Sequence, residues 1–181
     1  MHKIINKDEI LTIPNLLSLF RLLLVPVIIW LYCVKQNYIG TIAVFTLSAV
    51  TDIADGIIAR KFNMVSDFGK ILDPIADKVT QGSLIICLII KYKLMLALIG
   101  IFLLKEITMA VLGYFVIKRN NNVNSAKWHG KVNTILLYAV MVTLILFPAL
   151  PLTVANLLIC VCGASMIFSF VLYVLFYKSI W

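Results

Sequence analysis

Six long runs of apolar residues limit how this chain can fold more than any other feature of its sequence. They cover residues 16–34, 39–59, 71–90, 94–117, 132–147 and 152–177. A helix needs about 20 apolar residues to cross the hydrocarbon core of a bilayer. Unbroken runs favour helices over the alternating pattern of membrane barrel strands. The sequence therefore predicts an all-α integral membrane protein with six transmembrane helices in one domain, residues 1–181.

Composition excludes the other broad classes. Hydrophobic residues make up 62% of the chain and charged residues 13%, with a mean hydropathy of +1.05. Soluble domains are about 45–50% apolar and about 25% charged. The four cysteines all lie in apolar runs and lack the spacing of zinc ligands. A soluble globular fold, a disordered chain and a disulfide scaffold are therefore excluded.

The basic residues predict the orientation of the chain. The chain has sixteen Lys and Arg residues but only eight Asp and Glu residues. In a soluble protein this excess of positive charge would suggest a nucleic-acid partner. Here the basic residues lie mostly in the connections between the apolar runs. This position indicates that they contact anionic lipid and set the membrane topology, and that the protein has no nucleic-acid partner. With the N-terminus inside, ten lie on the cytoplasmic side: Lys3, Lys7, Arg60, Lys61, Lys70, Lys118, Arg119, Lys127, Lys131 and Lys178. Three lie outside: Lys35, Lys91 and Lys93. Both termini are predicted to be cytoplasmic, and residues 1–12 to form a juxtamembrane amphipathic segment.

Several charged residues lie within the apolar runs, where each costs about 2.5–3.5 kcal/mol at mid-span. Asp52 and Asp55 are three residues apart near the end of the second run, and Asp73 and Asp77 are four apart at the start of the third. Each pair shares one helix face, and the short connection makes the two helices antiparallel neighbours. Four carboxylates then converge near the cytoplasmic side. Oxygen ligands select hard ions such as Mg²⁺, Mn²⁺ or Ca²⁺, and two metals form a clamp suited to phosphoryl chemistry.

The same aspartates belong to a longer pattern. Residues 52–77 read DIADGIIARKFNMVSDFGKILDPIAD, of the form D-x2-D-G-x2-A-R-x8-G-x3-D-x3-D. Every fixed position and gap matches the signature of the CDP-alcohol phosphotransferase family, which the chain resembles over its whole length. The resemblance implies six membrane helices and transfer of a phosphatidyl or similar group from a CDP-linked donor to an alcohol, with release of CMP.

The resemblance also implies roles for individual residues. Asp52, Asp55, Asp73 and Asp77 match the ligands of two Mg²⁺ or Mn²⁺ ions, and Asp77 matches the general base. The positions that match the CDP-binding site are Asn15, Ser18, Asp52, Gly56, Ala59, Arg60 and Gly69. A homodimer in the cell membrane, with the active site facing the cytoplasm, is expected from the family.

Finer resemblances point to the acceptor. Residues 13–21, with Pro26 after them, resemble the start of bacterial phosphatidylglycerophosphate synthases, with Ser18 where those have Thr. Residues 130–134, Gly-Lys-Val-Asn-Thr, resemble their Gly-Lys-x-Lys-Thr, although Asn133 replaces the second Lys. The leading expectation is sn-glycerol 3-phosphate as acceptor and CDP-diacylglycerol as donor. The residues expected to bind the acceptor phosphate are Arg21, Lys105, Arg119 and Lys131.

Two alternatives remain open at this point. Lys-Val-Asn-Thr is also similar to cardiolipin synthases of the eukaryotic type, which use phosphatidylglycerol as the acceptor. A cation transporter could use the aspartates as an ion site. However, an ion path needs polar residues deep in the outer half of the spans, and this chain is almost wholly apolar there.

Overall fold

The computed structural model describes residues 12–62, 66, 68–120 and 128–180, with only the backbone described at residues 60, 70, 114–120, 129 and 177–180. Within these ranges the chain is all helical and has no strand, which confirms the predicted all-α class. The helices are α1 (Ile13–Ile29), α2 (Tyr38–Lys61), α3 (Gly69–Ile89), α4 (Met95–Asn120), α5 (Trp128–Leu146) and α6 (Leu152–Ile180). The predicted juxtamembrane segment falls outside the described residues except for Thr12.

Four of the described helices are long and apolar enough to cross a membrane: Ile13–Val34, Tyr38–Ala59, Met95–Gly113 and Leu152–Phe176. A shorter apolar helix covers Gly130–Leu146. Large apolar side chains such as Leu23 and Ile39 are exposed on the helix surfaces, 69% and 78% respectively. A water-soluble protein rarely exposes so much apolar surface, so these helices identify a multi-pass membrane protein.

Local sequence explains how the first two helices are joined. Pro14 lies at the start of α1, where its missing N–H costs no hydrogen bond. A π-helical turn, Trp30–Val34, extends α1, and Gln36 then takes a positive φ of 51° that reverses the chain. The side chain of Asn37 caps α2 by accepting a hydrogen bond from the Gly40 N–H at 2.9 Å.

Packing divides the chain into two compact units, Met1–Cys87 and Leu88–Trp181. In the first unit α1 packs along α2, and Ile28, Leu84 and Ile85 are fully buried. The Sγ atoms of Cys33 and Cys87 lie 3.7 Å apart in this unit.

In the second unit α6 packs against both α4 and α5. The start of α5 approaches α6 so closely that a Cβ at Gly130 would collide with the ring and hydroxyl of Tyr173. This close approach is part of the helix packing of the second unit.

Candidate active site

The side chain of Arg21 lies at the centre of the aspartate cluster of the first unit. Its Nη1 is 2.5 Å from Oδ1 of Asp52 and also pairs with Oδ1 of Asp77, while its Nη2 is 2.5 Å from Oδ2 of Asp55. Only 2% of the Arg21 side chain is exposed. One buried cation from α1 thus joins carboxylates of α2 and α3.

Ser18 brings the fourth aspartate into the same cluster. Its hydroxyl lies within hydrogen-bond reach of Oδ1 of Asp73 and, at 3.4 Å, of Oδ2 of Asp55. The Pro14 carbonyl, at 3.1 Å, is a third acceptor for its single proton. Ser18 is fully buried. Since Ser18 and Arg21 are three residues apart, one face of α1 contacts all four aspartates.

A second polar contact fixes the start of α3 against α1. The amide of Asn15 and the hydroxyl of Ser66 are joined at 3.0–3.1 Å, and the Ser66 hydroxyl accepts a hydrogen bond from the Gly69 N–H at 2.9 Å. A Cβ at Gly69 would lie 2.5 Å from Oδ1 of Asn15. A larger residue here would displace the Asn15 side chain or α3, so close approach favours glycine at this position.

The aspartates of the cluster differ in their access to solvent. The Asp55 side chain is 4% exposed, whereas Asp52 is 43% and Asp77 is 34% exposed. The cluster therefore has a closed side at Asp55 and an open side at Asp52 and Asp77.

The donor set fits hard divalent cations, although the described side chains are not arranged as a metal site. No three His, Cys, Asp or Glu side chains in the described ranges form a group that could hold an ion as they stand. The donors are nevertheless all oxygens, which Mg²⁺ and Mn²⁺ prefer. Three of the four carboxylates already contact one positive group, so the cluster is shaped to hold positive charge.

The other residues assigned to the CDP site lie on the helices that carry the aspartates. Gly56 and Ala59 are on the last two turns of α2 and are partly exposed. Arg60 follows them in α2, but its side chain is outside the described set. Small residues beside the open carboxylates leave room for a ligand to lie against the helix.

Most of the residues assigned to the acceptor phosphate lie in the second unit. The Nζ of Lys105 is buried and is 3.0 Å from Oε1 of Glu106. Lys131 is exposed on the first turn of α5, and the side chain of Arg119 is not among those described. Asn133, two residues after Lys131 in the sequence motif, is 2% exposed, and its Oδ1 accepts no hydrogen bond from the described residues.

Sequence reasoning missed two features of this site. Ser66 lies in the variable stretch of the motif, so no fixed position pointed to its contact with Asn15. The pairing of Arg21 with aspartates was also missed, because Arg21 was assigned to the acceptor phosphate. The spacing of Ser18 and Arg21 on one face of α1 was the available signal.

Comparison with known proteins agrees with the motif. Residues 11–175 match the family model of CDP-alcohol phosphatidyltransferases. The chain is 40% identical over 111 residues to the CDP-diacylglycerol–glycerol-3-phosphate 3-phosphatidyltransferase of Aquifex aeolicus, which covers 60% of this chain and 62% of that protein. It is 32% identical over 151 residues to a Mycobacterium tuberculosis protein named "Probable phosphatidylglycerophosphate synthase", covering 81% of this chain and 71% of that protein.

A third relative carries a different name. The cardiolipin synthase (CMP-forming) / mitochondrial hydrolase fusion protein of Schizosaccharomyces pombe is 39% identical over 104 residues, covering 57% of this chain and 17% of that protein. The match to the Aquifex protein spans less than two thirds of its length. The family-model match covers most of this chain, so the chain belongs to the CDP-alcohol phosphatidyltransferase family. The family predicted from the motif is thereby confirmed.

Proposed function

We propose that this protein transfers the phosphatidyl group of CDP-diacylglycerol to sn-glycerol 3-phosphate, giving phosphatidylglycerophosphate and CMP. The observation that carries the proposal is the convergence of all four motif aspartates on one face of α1, with an open side at Asp52 and Asp77. The names of the Aquifex and Mycobacterium relatives support the choice of donor and acceptor.

Asp52, Asp55, Asp73 and Asp77 would hold two divalent ions, Mg²⁺ or Mn²⁺. When bound, these ions supply charge neutralisation of the pyrophosphate and polarisation of the phosphorus under attack. The carboxylates themselves fix where that charge is placed. Ser18 and the buried Asp55 hold the closed side of the cluster in position.

The chemical step needs a proton acceptor. The acceptor hydroxyl oxygen bonds to the phosphorus that carries the diacylglycerol, the bond from that phosphorus to the CMP oxygen breaks, and the hydroxyl proton moves to a carboxylate. We assign Asp77 as the general base that accepts this proton, because Asp77 lies at the open side of the cluster and is 34% exposed. A general base must be within hydrogen-bond reach of its substrate, and the buried Asp55 cannot meet that condition without helix movement.

We propose that the nucleotide of the donor binds against the small residues Gly56 and Ala59 and beside Arg60. The guanidinium of Arg60 can bind a phosphate with two parallel hydrogen bonds. Asn15, Ser18 and Gly69 then act mainly by fixing α3 against α1, which sets the position of the donor site.

The acceptor phosphate carries nearly two negative charges and requires several cations. We propose that Lys105, Arg119 and Lys131 of the second unit provide them, whereas Arg21, which the sequence analysis assigned to the same phosphate, contacts the aspartates. Lys131 is the exposed member of this set, and Lys105 is held by Glu106.

We further propose the arrangement in the membrane. The chain forms one functional domain of six spans, with both termini and the aspartates on the cytoplasmic side of the cell membrane, and it forms a homodimer. The excess of Lys and Arg in the connections assigned to the cytoplasm supports the orientation. In this arrangement α3 and α5 also cross the bilayer.

The proposal is tested by an acceptor panel. Purified protein receives CDP-diacylglycerol and Mg²⁺ with one alcohol at a time, and CMP release and the lipid product are measured. We expect phosphatidylglycerophosphate from glycerol 3-phosphate and little product from inositol or serine. Product from phosphatidylglycerol alone would make the protein a cardiolipin synthase. That second candidate is favoured by the Schizosaccharomyces relative and by the uncharged Asn133. CMP release with no acceptor would contradict both.

A further inference from the structure

The contacts of Arg21 extend beyond the role assigned to it from sequence. A residue that binds the acceptor phosphate should present its guanidinium to the substrate. Both terminal nitrogens of Arg21 instead contact carboxylates: Nη1 contacts Asp52 and Asp77, and Nη2 contacts Asp55 at 2.5 Å. The guanidinium therefore uses the same oxygens that the proposed metal site needs.

Burial makes these contacts important for Arg21 itself. Its side chain is 2% exposed, and its Nε, also buried, has no hydrogen-bond partner among the described residues. A guanidinium stays charged in proteins, and a buried charge must be paired to be tolerated. The aspartates provide its described ion pairs, so Arg21 and the cluster stabilise each other.

The cluster cannot satisfy both kinds of cation with the same oxygens. Four ionised carboxylates carry four negative charges, which two divalent ions would balance without help. Arg21 adds a fifth positive charge within ion-pair distance of three of these carboxylates. Divalent ions bound to these same oxygens would lie close to the guanidinium, and like charges repel strongly at short range. Metal loading and the guanidinium contacts therefore oppose each other.

We propose that Arg21 is a built-in counter-cation that competes with divalent ions for the oxygens of Asp52, Asp55 and Asp77. It holds the carboxylates of α2 and α3 together on α1 before metals bind, and it lowers the affinity for metals in return. This inference rests on the metal site of the proposed function. It makes Arg21 a positioning residue whose release is coupled to metal loading.

Competition predicts two effects of opposite sign when the charge of Arg21 is removed. In Arg21→Gln the four carboxylates repel one another without a counter-cation, so the melting temperature in EDTA should fall. The same variant should bind Mn²⁺ at least about tenfold more tightly, because one opposing charge is gone. Its melting temperature should therefore rise more on adding Mn²⁺ than that of the wild type.

The experiment uses the full chain in lipid nanodiscs without CDP-diacylglycerol or acceptor. Thermal unfolding is recorded in EDTA and at increasing Mn²⁺, and free Mn²⁺ is measured by electron paramagnetic resonance to obtain Kd. Arg21→Lys keeps the charge but loses the forked geometry, so its Kd should stay near that of the wild type. If Arg21→Gln folds poorly, Arg21→Lys still tests the proposal. Because Arg21→Lys keeps the positive charge, it should lose less stability in EDTA than Arg21→Gln.

Lys35→Gln is the matched control. Lys35 follows the same helix at its other end, fourteen residues and about 20 Å along the axis from Arg21, where its ammonium lies 5.1 Å from the ring of Trp30. This variant removes one positive charge from the same part of the fold and should change neither Kd nor the response of stability to Mn²⁺.

The outcomes separate this inference from the function on which it rests. Tighter Mn²⁺ binding with lower stability in EDTA supports competition. Equal or weaker Mn²⁺ binding by Arg21→Gln, while the wild type binds normally, overturns the competition and leaves the metal site intact. If the wild type and all variants bind no Mn²⁺, the metal site of the proposed function fails and the competition fails with it.

Discussion

The four aspartates of the motif differ in how far a substrate can reach them. Asp55 is closed off by the contacts of Ser18 and Arg21, whereas Asp52 and Asp77 lie at the open side. Residues with the same charge and the same place in a motif can therefore act differently. We expect all four to hold the metals, the closed Asp55 also to maintain the packing, and the open Asp77 also to exchange a proton with the substrate.

Replacing Asp77 separates these two roles. Asp77→Asn removes the proton acceptor but keeps the side-chain shape, so kcat should fall by at least about 100-fold, the lower end of what a general base contributes. The Kd for CDP-diacylglycerol should change little. Steady-state kinetics and donor binding are measured on the same preparation. Weak donor binding combined with a normal rate at saturating substrate would assign Asp77 to binding alone.

Lys131 gives the corresponding test for the acceptor. Its ammonium is exposed on the first turn of α5 and can reach a phosphate in solution. A hydrogen bond to a charged group contributes about 1.5–3 kcal/mol, so Lys131→Ala should raise KM for glycerol 3-phosphate about tenfold or more. KM for CDP-diacylglycerol should stay near the wild-type value.

The control for Lys131 is Lys93→Ala, which removes an exposed lysine just before α4 in the same unit. This variant should keep both KM values. If Lys131→Ala instead raises the KM for CDP-diacylglycerol and leaves the KM for glycerol 3-phosphate unchanged, Lys131 belongs to the nucleotide site.

At the scale of the helices, the sequence predicts well where the helices lie, but it predicts their ends and the turns that join them poorly. The predicted run 39–59 lies within Tyr38–Lys61, and 152–177 lies within Leu152–Ile180, because apolar length and turn residues act locally. The fifth helix begins earlier than predicted, at Trp128, since its first turn is polar and hydropathy gives no signal there. The π-helical turn at Trp30–Val34 was also missed.

The same division holds for the candidate site. The face shared by Asp52 and Asp55 follows from helical geometry alone. The partners of Arg21 could not be derived this way, because they depend on how three helices pack in space. The contact between Asn15 and Ser66 joins residues 51 apart in the chain, so no local pattern contains it.

Gly69 offers a direct test of the contact between α1 and α3. In Gly69→Ala the new Cβ would lie 2.5 Å from Oδ1 of Asn15 and 3.0 Å from Oγ of Ser66, so either the buried Asn15 side chain or α3 must shift. Such overpacking costs about 1–3 kcal/mol, which should appear as a lower melting temperature in detergent. Activity should fall as well, because the contact that holds α3 and its Asp73 against α1 is disturbed.

Gly100→Ala is the matched control, since no atom of the part of the chain that the structure describes lies within 4 Å of a Cβ at that position of α4. It should be neutral or slightly stabilising, because alanine favours a helix over glycine by up to about 1 kcal/mol. Adding Asn15→Ala to Gly69→Ala removes the clashing amide and should recover part of the lost stability. Equal melting temperatures for both glycine variants would mean that α1 and α3 do not approach closely here.

For the whole molecule, the membrane arrangement depends on two helices that differ from the others. The charged residues of α3 keep it out of the set of long apolar helices, and the apolar part of α5, Gly130–Leu146, is shorter than the four helices of that set. If α3 lay on the surface, Lys61 before it and Lys93 after it would be on the same side of the bilayer. The proposed active site requires α3 to cross with its aspartates towards the cytoplasm.

Cysteine labelling decides whether α3 and α5 cross the membrane. In a variant whose four native cysteines are changed to alanine, single cysteines replace Lys35, Lys61, Lys93, Lys131 or Ala149, which are all exposed. An impermeant maleimide added to intact cells should label positions 35, 93 and 149, because the excess of cationic residues keeps the other two connections inside. Positions 61 and 131 should react only after the membrane is opened.

Labelling of 61 together with 93, or of 131 together with 149, would show that α3 or α5 does not span. A site built from carboxylates of both α2 and α3 would then need a different orientation in the membrane.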